Sequence, residues 1–447
     1  MSDSDAPASS TQMNNRVFWV VAILLVLGLI WVFVTRDSEQ EANEQAVGEA
    51  TYQIAEGKAF SLEQVAEVPQ ATRMVFTPNR ETLLVSSLTG EVHAFQRTDE
   101  GLTKQATPFV SLSETIPGFP PEESGLTSVV LGVDFEQSGD VFLLYQAREG
   151  EGDEAPFKNR IARVTFATTE SGDVVGENLT QIFEANVDGQ PSHQIQGGVG
   201  VLVRNEPHLL FNIGEGFEGE RAQNALEEAG KVLLIQRDGS EPLGIRPWRQ
   251  SPVVQAVGLR NAYAIAQNPY DPEGRFLIGD TGTSANDRLL YAKVHDSTGL
   301  RHDPLNLAWD GSEESLLASV VDGKSAGTPE VVLHRWDPTE TATDIAFYPG
   351  GVAGLPVSDE TESLAVLTMF GKTGQTGELP GRTVQLARLS HEAGQQPAVT
   401  FETLVERSGR GRDEVGHPVA LAVDSETGDI YFSDIMEGRI YKVSPTN

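Results

Sequence analysis

His193 lies in the stretch Pro191-Ser192-His193-Gln194-Ile195-Gln196-Gly197-Gly198, a polar loop ending in a glycine pair, and the alternating strand Val199-Gly-Val-Leu-Val203 follows. Imidazole is the ordinary side chain that takes up a proton near neutral pH, so a histidine held at the mouth of a strand suits general-base chemistry. Gly258-Leu-Arg260-Asn261 stands in the same place one repeat later, immediately before another apolar strand, and the two loops therefore converge. Further on, Arg407-Ser-Gly-Arg410-Gly-Arg412-Asp413 gathers three arginines in a chain with 65 acidic and 32 basic residues. A guanidinium fork grips carboxylates through two parallel bonds, and the cluster reads as an anion site. Lys372, in Phe370-Gly-Lys-Thr-Gly374, adds a further cation. Each has a plainer counterpart: one of eight histidines in a core, a solvated basic loop, a turn lysine.

Such loops need a scaffold that aims them at one place. An alternating apolar strand, a polar turn, a second strand and often a Gly-x-apolar third strand recur six times, opening near Thr72, Leu126, Gly198, Ala262, Asp344 and Val419. Repeats of several antiparallel strands at this spacing predict an all-β fold, a six-bladed β-propeller with the insertions as site-building loops. A pair of stacked β-sandwiches explains the strands but not the recurrence. The 447 residues are 39% hydrophobic and 22% charged, enough to bury a large core, and 44 Gly with 24 Pro favour turns over long helices. A net charge of −33 opposes a phosphate backbone, so nucleic acid is excluded as a partner. With no cysteine, disulfides, thiolate zinc sites and a cysteine nucleophile are excluded too.

The amino terminus is organised differently. Residues 1–16 are polar and read as a cytoplasmic tail; residues 17–34 carry no charge and, as a helix, reach about 27 Å, which predicts a single transmembrane helix. Trp19 and Trp31 sit near its ends, as interfacial anchors do, and no small-residue cleavage site follows. Residues 35–58 are acidic and polar, a linker, and residues 59–447 form the propeller domain. The length of this last part places it outside the cytoplasmic membrane, periplasmic or extracellular, on a single-pass anchor.

Four segments carry a family resemblance in order: Glu123-Ser-Gly-Leu-Thr-Ser-Val-Val-Leu-Gly-Val-Asp-Phe135, the His193 stretch, Gly230-Lys-Val-Leu-Leu-Ile-Gln-Arg-Asp-Gly239 and Gly258-Leu-Arg-Asn261. From about Phe60 to Val443 the chain resembles the glucose/sorbosone dehydrogenase family, the soluble-type quinoprotein and aldose sugar dehydrogenases. Their fold is a six-bladed propeller holding pyrroloquinoline quinone (PQQ) with calcium. The resemblance implies that His193 removes a sugar hydroxyl proton while hydride passes to the quinone. It implies that Arg260 stabilises charge on the quinone oxygens, that Asn261 hydrogen-bonds the cofactor, and that Lys372, Arg410 and Arg412 hold its carboxylates. Gly282 and Thr283 fall where backbone carbonyls ligate calcium, and Glu123 where some relatives have a substrate-contacting glutamine. A respiratory electron acceptor is the implied partner.

The chain departs from the family pattern at Asp287-Arg288, where an acidic pair is usual, at Thr283 and Ala262, which replace prolines, and along Asn306-Leu-Ala-Trp-Asp310. Arg288 puts a cation where a carboxylate would help hold calcium. A non-catalytic propeller that binds carbohydrate or protein is the second reading. A calcium-dependent hydrolase is the third, although no converging set of carboxylates stands out.

Overall fold

Alternate residues of one short strand show how the sheets are covered on both faces. In Thr82–Ser87, Leu83 and Val85 pack with Ala420 and Tyr431, whereas Leu84 packs with Leu126 and Val141. A strand with a neighbour on each side reads as continuous apolar sequence, and this one is buried along its whole length. The computed structural model describes residues 51–99, 101–115, 125–149, 155–189, 192–242, 251–294, 304–317, 331–349, 355, 359, 361–371, 381–391, 397–408 and 416–446.

Those residues form six sheets, antiparallel but for one short parallel pair, the blades of an all-β propeller, as the repeats predict. In chain order the innermost strands of blades 1 to 6 are Ala71–Phe76, Leu126–Leu131, Ile195–Val203, Ala262–Gln267, Ala342–Phe347 and Pro418–Val423. Each packs against the next and the last against the first, closing a ring. Six apolar clusters fill the gaps between successive blades. Closure is made by the beginning of the domain, because Phe60–Glu67 supplies the outer strand of blade 6, antiparallel to Arg439–Pro445. Thr51–Ile54 falls inside the stretch read as linker, but it pairs with Ala398–Ser408 at the edge of blade 5, so strand structure begins earlier than polarity suggests.

Polar residues near the starts of the inner strands fasten blade to blade. The hydroxyls of Thr72, Thr127 and Thr343 donate to the carbonyls of Leu126, Ile195 and Pro418 on the following blade, at 3.0, 2.7 and 3.0 Å. Deeper in the channel, the Arg73 guanidinium of blade 1 is ion-paired with Asp344 of blade 5. Arg73 also donates to the Tyr263 carbonyl at 2.9 Å and to Ser128 Oγ at 3.3 Å, while Asp344 accepts the Leu421 N–H at 2.9 Å. Five of the six inner strands thus meet at one ion pair, which separates a chamber at each end of the channel. Burial pushes the Asp344 carboxyl up to about 6, more than Arg73 and two backbone N–H groups pull it down.

No helix among the described residues is long and apolar enough to cross a membrane. The anchor expected at residues 17–34 lies outside them.

Candidate active site

His193 precedes the innermost strand of blade 3 and Glu215 follows the second strand, Glu206–Ile213; the strands are antiparallel, so both residues emerge at the same end. Gly214 permits the contact, since a Cβ there would lie 2.7 Å from the carbonyl carbon of His193. His193 itself is in the left-handed region, at φ 52°. Its Nδ1–H donates to Oε1 of Glu215 at 2.9 Å, and the second oxygen, Oε2, accepts from Nε1–H of Trp309 at 2.8 Å. Burial alone would raise the Glu215 carboxyl, but these two hydrogen bonds and the nearby His193 and Arg260 offset it and hold it below its ordinary value. An ionised carboxylate at Nδ1 fixes the tautomer and leaves Nε2 as the proton acceptor.

Trp309 arrives from an insertion in blade 4. Leu305–Asn306 pairs in parallel with Val254–Val257 of blade 3, and the Trp309 N–H donates to the Gly258 carbonyl at 3.0 Å. The same carbonyl belongs to the loop that carries Arg260 and Asn261. There the Arg260 carbonyl accepts the Glu215 N–H at 2.9 Å, and the N–H groups of Arg260 and Asn261 donate to Oδ1 of Asp280 at 3.0 and 2.8 Å. Asp280 closes the second strand of blade 4, Phe276–Asp280, and its other oxygen pairs with Arg288 in a fully buried ion pair. Arg288 also donates to the carbonyls of Leu307 and Gly258. The sequence suggested a cation beside a metal loop; instead Arg288 turns back and braces the loop from Gly258 to Asn261.

The residues at the expected metal position are already engaged. Nη1 of Arg260 donates to the carbonyls of Thr281 and Gly282 at 3.1 and 2.6 Å. Asp287 accepts the N–H of Gly282 at 2.7 Å through Oδ1 and those of Glu340 and Thr341 through Oδ2, and Thr283 Oγ1 bonds Glu313. Among the described residues no three His, Asp or Glu side chains are grouped to hold a metal. Calcium takes roughly six to eight oxygen ligands. With a guanidinium on the Gly282 carbonyl and no grouped carboxylates among the described residues, the donor set as it stands does not fit the ion.

An anionic quinone is a better match. Beside His193, between the flanking Ser192 and Gln194, opens a cavity of about 700 Å³ at the end of the channel where the inner strands begin. Arg73 is the one charged side chain among its described walls. Thr281 Oγ1, also in the wall, is buried and has no hydrogen-bond partner among the described residues. The space, the polar walls and the unused hydroxyl fit a planar polar cofactor, with Arg73 in the wall already paired to Asp344.

The structure therefore brings His193, Arg260 and Asn261 together around Glu215 and Asp280, with Gly282 and Thr283 next to Arg260. Glu123, Lys372, Arg410 and Arg412 lie outside the described residues, and Arg407 belongs to the outer strand of blade 5, Ala398–Ser408. Sequence reading did not assign Glu215, Trp309 or Arg73. The acid in Gly214-Glu215-Gly216 directly after a strand was the available signal, as was the tryptophan in Asn306-Leu-Ala-Trp309.

Solved structures of similar fold carry related names. A glucose dehydrogenase is 19% identical with TM-score 0.62, over 87% of this chain and 99% of that one. The apo soluble aldose sugar dehydrogenase of Escherichia coli is 17% identical with TM-score 0.60, over 86% and 99%. The PQQ-bound aldose sugar dehydrogenase of Streptomyces coelicolor is 18% identical with TM-score 0.55, over 87% and 99%. At these identities the likeness establishes the fold. No curated protein sequence matches the chain. Residues 68–354, well over half of the chain, match the family model for glucose/sorbosone dehydrogenases, and the chain belongs to that family.

Proposed function

We propose that the protein is a sugar dehydrogenase that oxidises a hydroxyl-bearing carbon of an aldose with PQQ as cofactor. The His193–Glu215 pair, with Ser192 and Gln194 on either side of the histidine in the cavity wall, carries this reading. Bound PQQ supplies an acceptor for the hydride. Glu215 holds the Nδ1 proton and orients the ring, so that Nε2 of His193 takes the proton of the sugar hydroxyl. Thr281 lines the cavity, Arg260 and Asn261 stand on the loop behind it, and Arg73, paired with Asp344, is in its wall. Lys372, Arg410 and Arg412 are the cations we assign to the cofactor carboxylates, and Glu123 to the sugar.

We further propose that residues 17–34 anchor the protein in the cytoplasmic membrane with the propeller periplasmic or extracellular, where a respiratory acceptor would reoxidise the cofactor. The support is the uncharged run and its flanking tryptophans. Titrating PQQ into the purified full-length protein tests the cofactor: a saturable bound-quinone spectrum that an aldose reduces is expected, and no saturable binding would overturn the reading. Protease added to spheroplasts should digest the propeller, whereas full protection contradicts the placement.

A further inference from the structure

Phe217, two residues beyond Glu215, is at φ 63°, directly after Gly216 at φ 68°. A bulky L-residue is rarely held there, and such strain gathers where a site needs it. Burial does not explain it, because the side chain is 60% exposed. What the ring does is stack on the His193 imidazole, with centroids 4.0 Å apart and planes 25° from parallel. Its loop is held rigidly on both sides. Trp309 grips Glu215, and Gly219 lies so close to Gly311 that a Cβ on it would be 2.3 Å from the Gly311 Cα. A strained, exposed aromatic ring is therefore presented at a fixed position beside the proton acceptor.

Because the two rings are nearly parallel, a hydroxyl that reaches Nε2 brings its carbon skeleton alongside the phenyl ring. A cyclic sugar offers there a face of C–H groups, which suits the negative face of an aromatic ring. An open-chain polyol has no such fixed face. We infer that Phe217 is a substrate-positioning residue, whose exposed ring receives the C–H face of a cyclic aldose and selects rings over open-chain polyols. This rests on the dehydrogenase reading for its substrate class. The competing role is a cover over His193 that would act on every substrate alike.

Two variants and two readouts separate these roles. Glycine suits the backbone at position 217, so Phe217→Gly should fold with an undiminished melting temperature; Phe217→Trp keeps an aromatic face. In the quinone-loaded protein, the ratio of kcat/KM for glucose to that for glycerol should fall about three- to tenfold in Phe217→Gly and recover in Phe217→Trp. In the unloaded protein, saturation-transfer NMR with methyl glucoside should show ring C–H contact in the wild type and lose it in Phe217→Gly. A wild type that shows this contact but oxidises nothing overturns the dehydrogenase reading and leaves the aromatic contact standing. An unchanged glucose-to-glycerol ratio, or saturation transfer equal in wild type and Phe217→Gly, overturns the inference.

Discussion

The imidazole of His193 and the carboxylate of Glu215 are joined at 2.9 Å across one hairpin, and neither side chain is more than 6% exposed. Such a pair fixes the imidazole tautomer and leaves one nitrogen available. Its worth in catalysis depends on the carboxylate being charged.

Glu215→Gln should keep the fold and the bound-quinone spectrum while lowering kcat by about 10²-fold or more, because an amide no longer dictates the tautomer. The stability effect has a definite sign. The folded carboxyl titrates below its ordinary value of 4.5, so its contribution is full above that value and lost as pH falls through the folded pKa. The melting difference between wild type and Glu215→Gln should accordingly be constant above pH 5 and shrink in more acid solution. A difference that grows on acidification contradicts the pair.

Asp344 behaves in the opposite sense. Its folded carboxyl is raised from 3.8 to about 6, so the folded state favours the protonated form and stability is lost as pH rises between those values. Comparing melts of wild type with Asp344→Asn isolates this group. The wild type should lose on the order of 2–3 kcal/mol relative to the variant between pH 3.5 and 7. A wild type that gains over that range would show that Arg73 stabilises the charged form more than burial penalises it.

Arg288→Met removes one partner of a fully buried ion pair and leaves Asp280 charged beneath the Arg260 loop. A loss of about 3–5 kcal/mol is expected in chemical unfolding, with weaker quinone binding because the loop is unbraced. An effect below about 1 kcal/mol would mean that the pair is not closed in solution.

Arg260 occupies the carbonyls of Thr281 and Gly282, so removing divalent ions should leave quinone affinity unchanged. Dialysis against a chelator followed by quinone titration checks this. A loss of affinity restored by calcium would show that Arg260 yields those oxygens to a metal.

The blade pattern was legible because the second strand of a blade buries both faces and the turn chemistry repeats, as Phe276–Asp280 and Ile430–Asp434 show by ending alike on a buried aspartate. His193 and Arg260 were legible because each directly precedes an inner strand. Glu215 and Trp309 were not, since one closes a hairpin 22 residues from His193 and the other crosses 94 residues from blade 4. Arg288 misled for the same reason: its sequence neighbours suggested the metal loop, while its partner lies across the strand pair at Asp280. Short-range pattern reveals strands and turns; which carboxylate meets which cation is decided by blade packing.

The most direct measurement compares wild type with His193→Gln after loading both with PQQ and adding glucose. Equal bound-quinone spectra are expected, with rapid reduction in the wild type and reduction slower by about 10²- to 10⁴-fold in the variant. A quinone-loaded His193→Gln protein that reduces its cofactor at the wild-type rate would contradict the central claim that this histidine is the base.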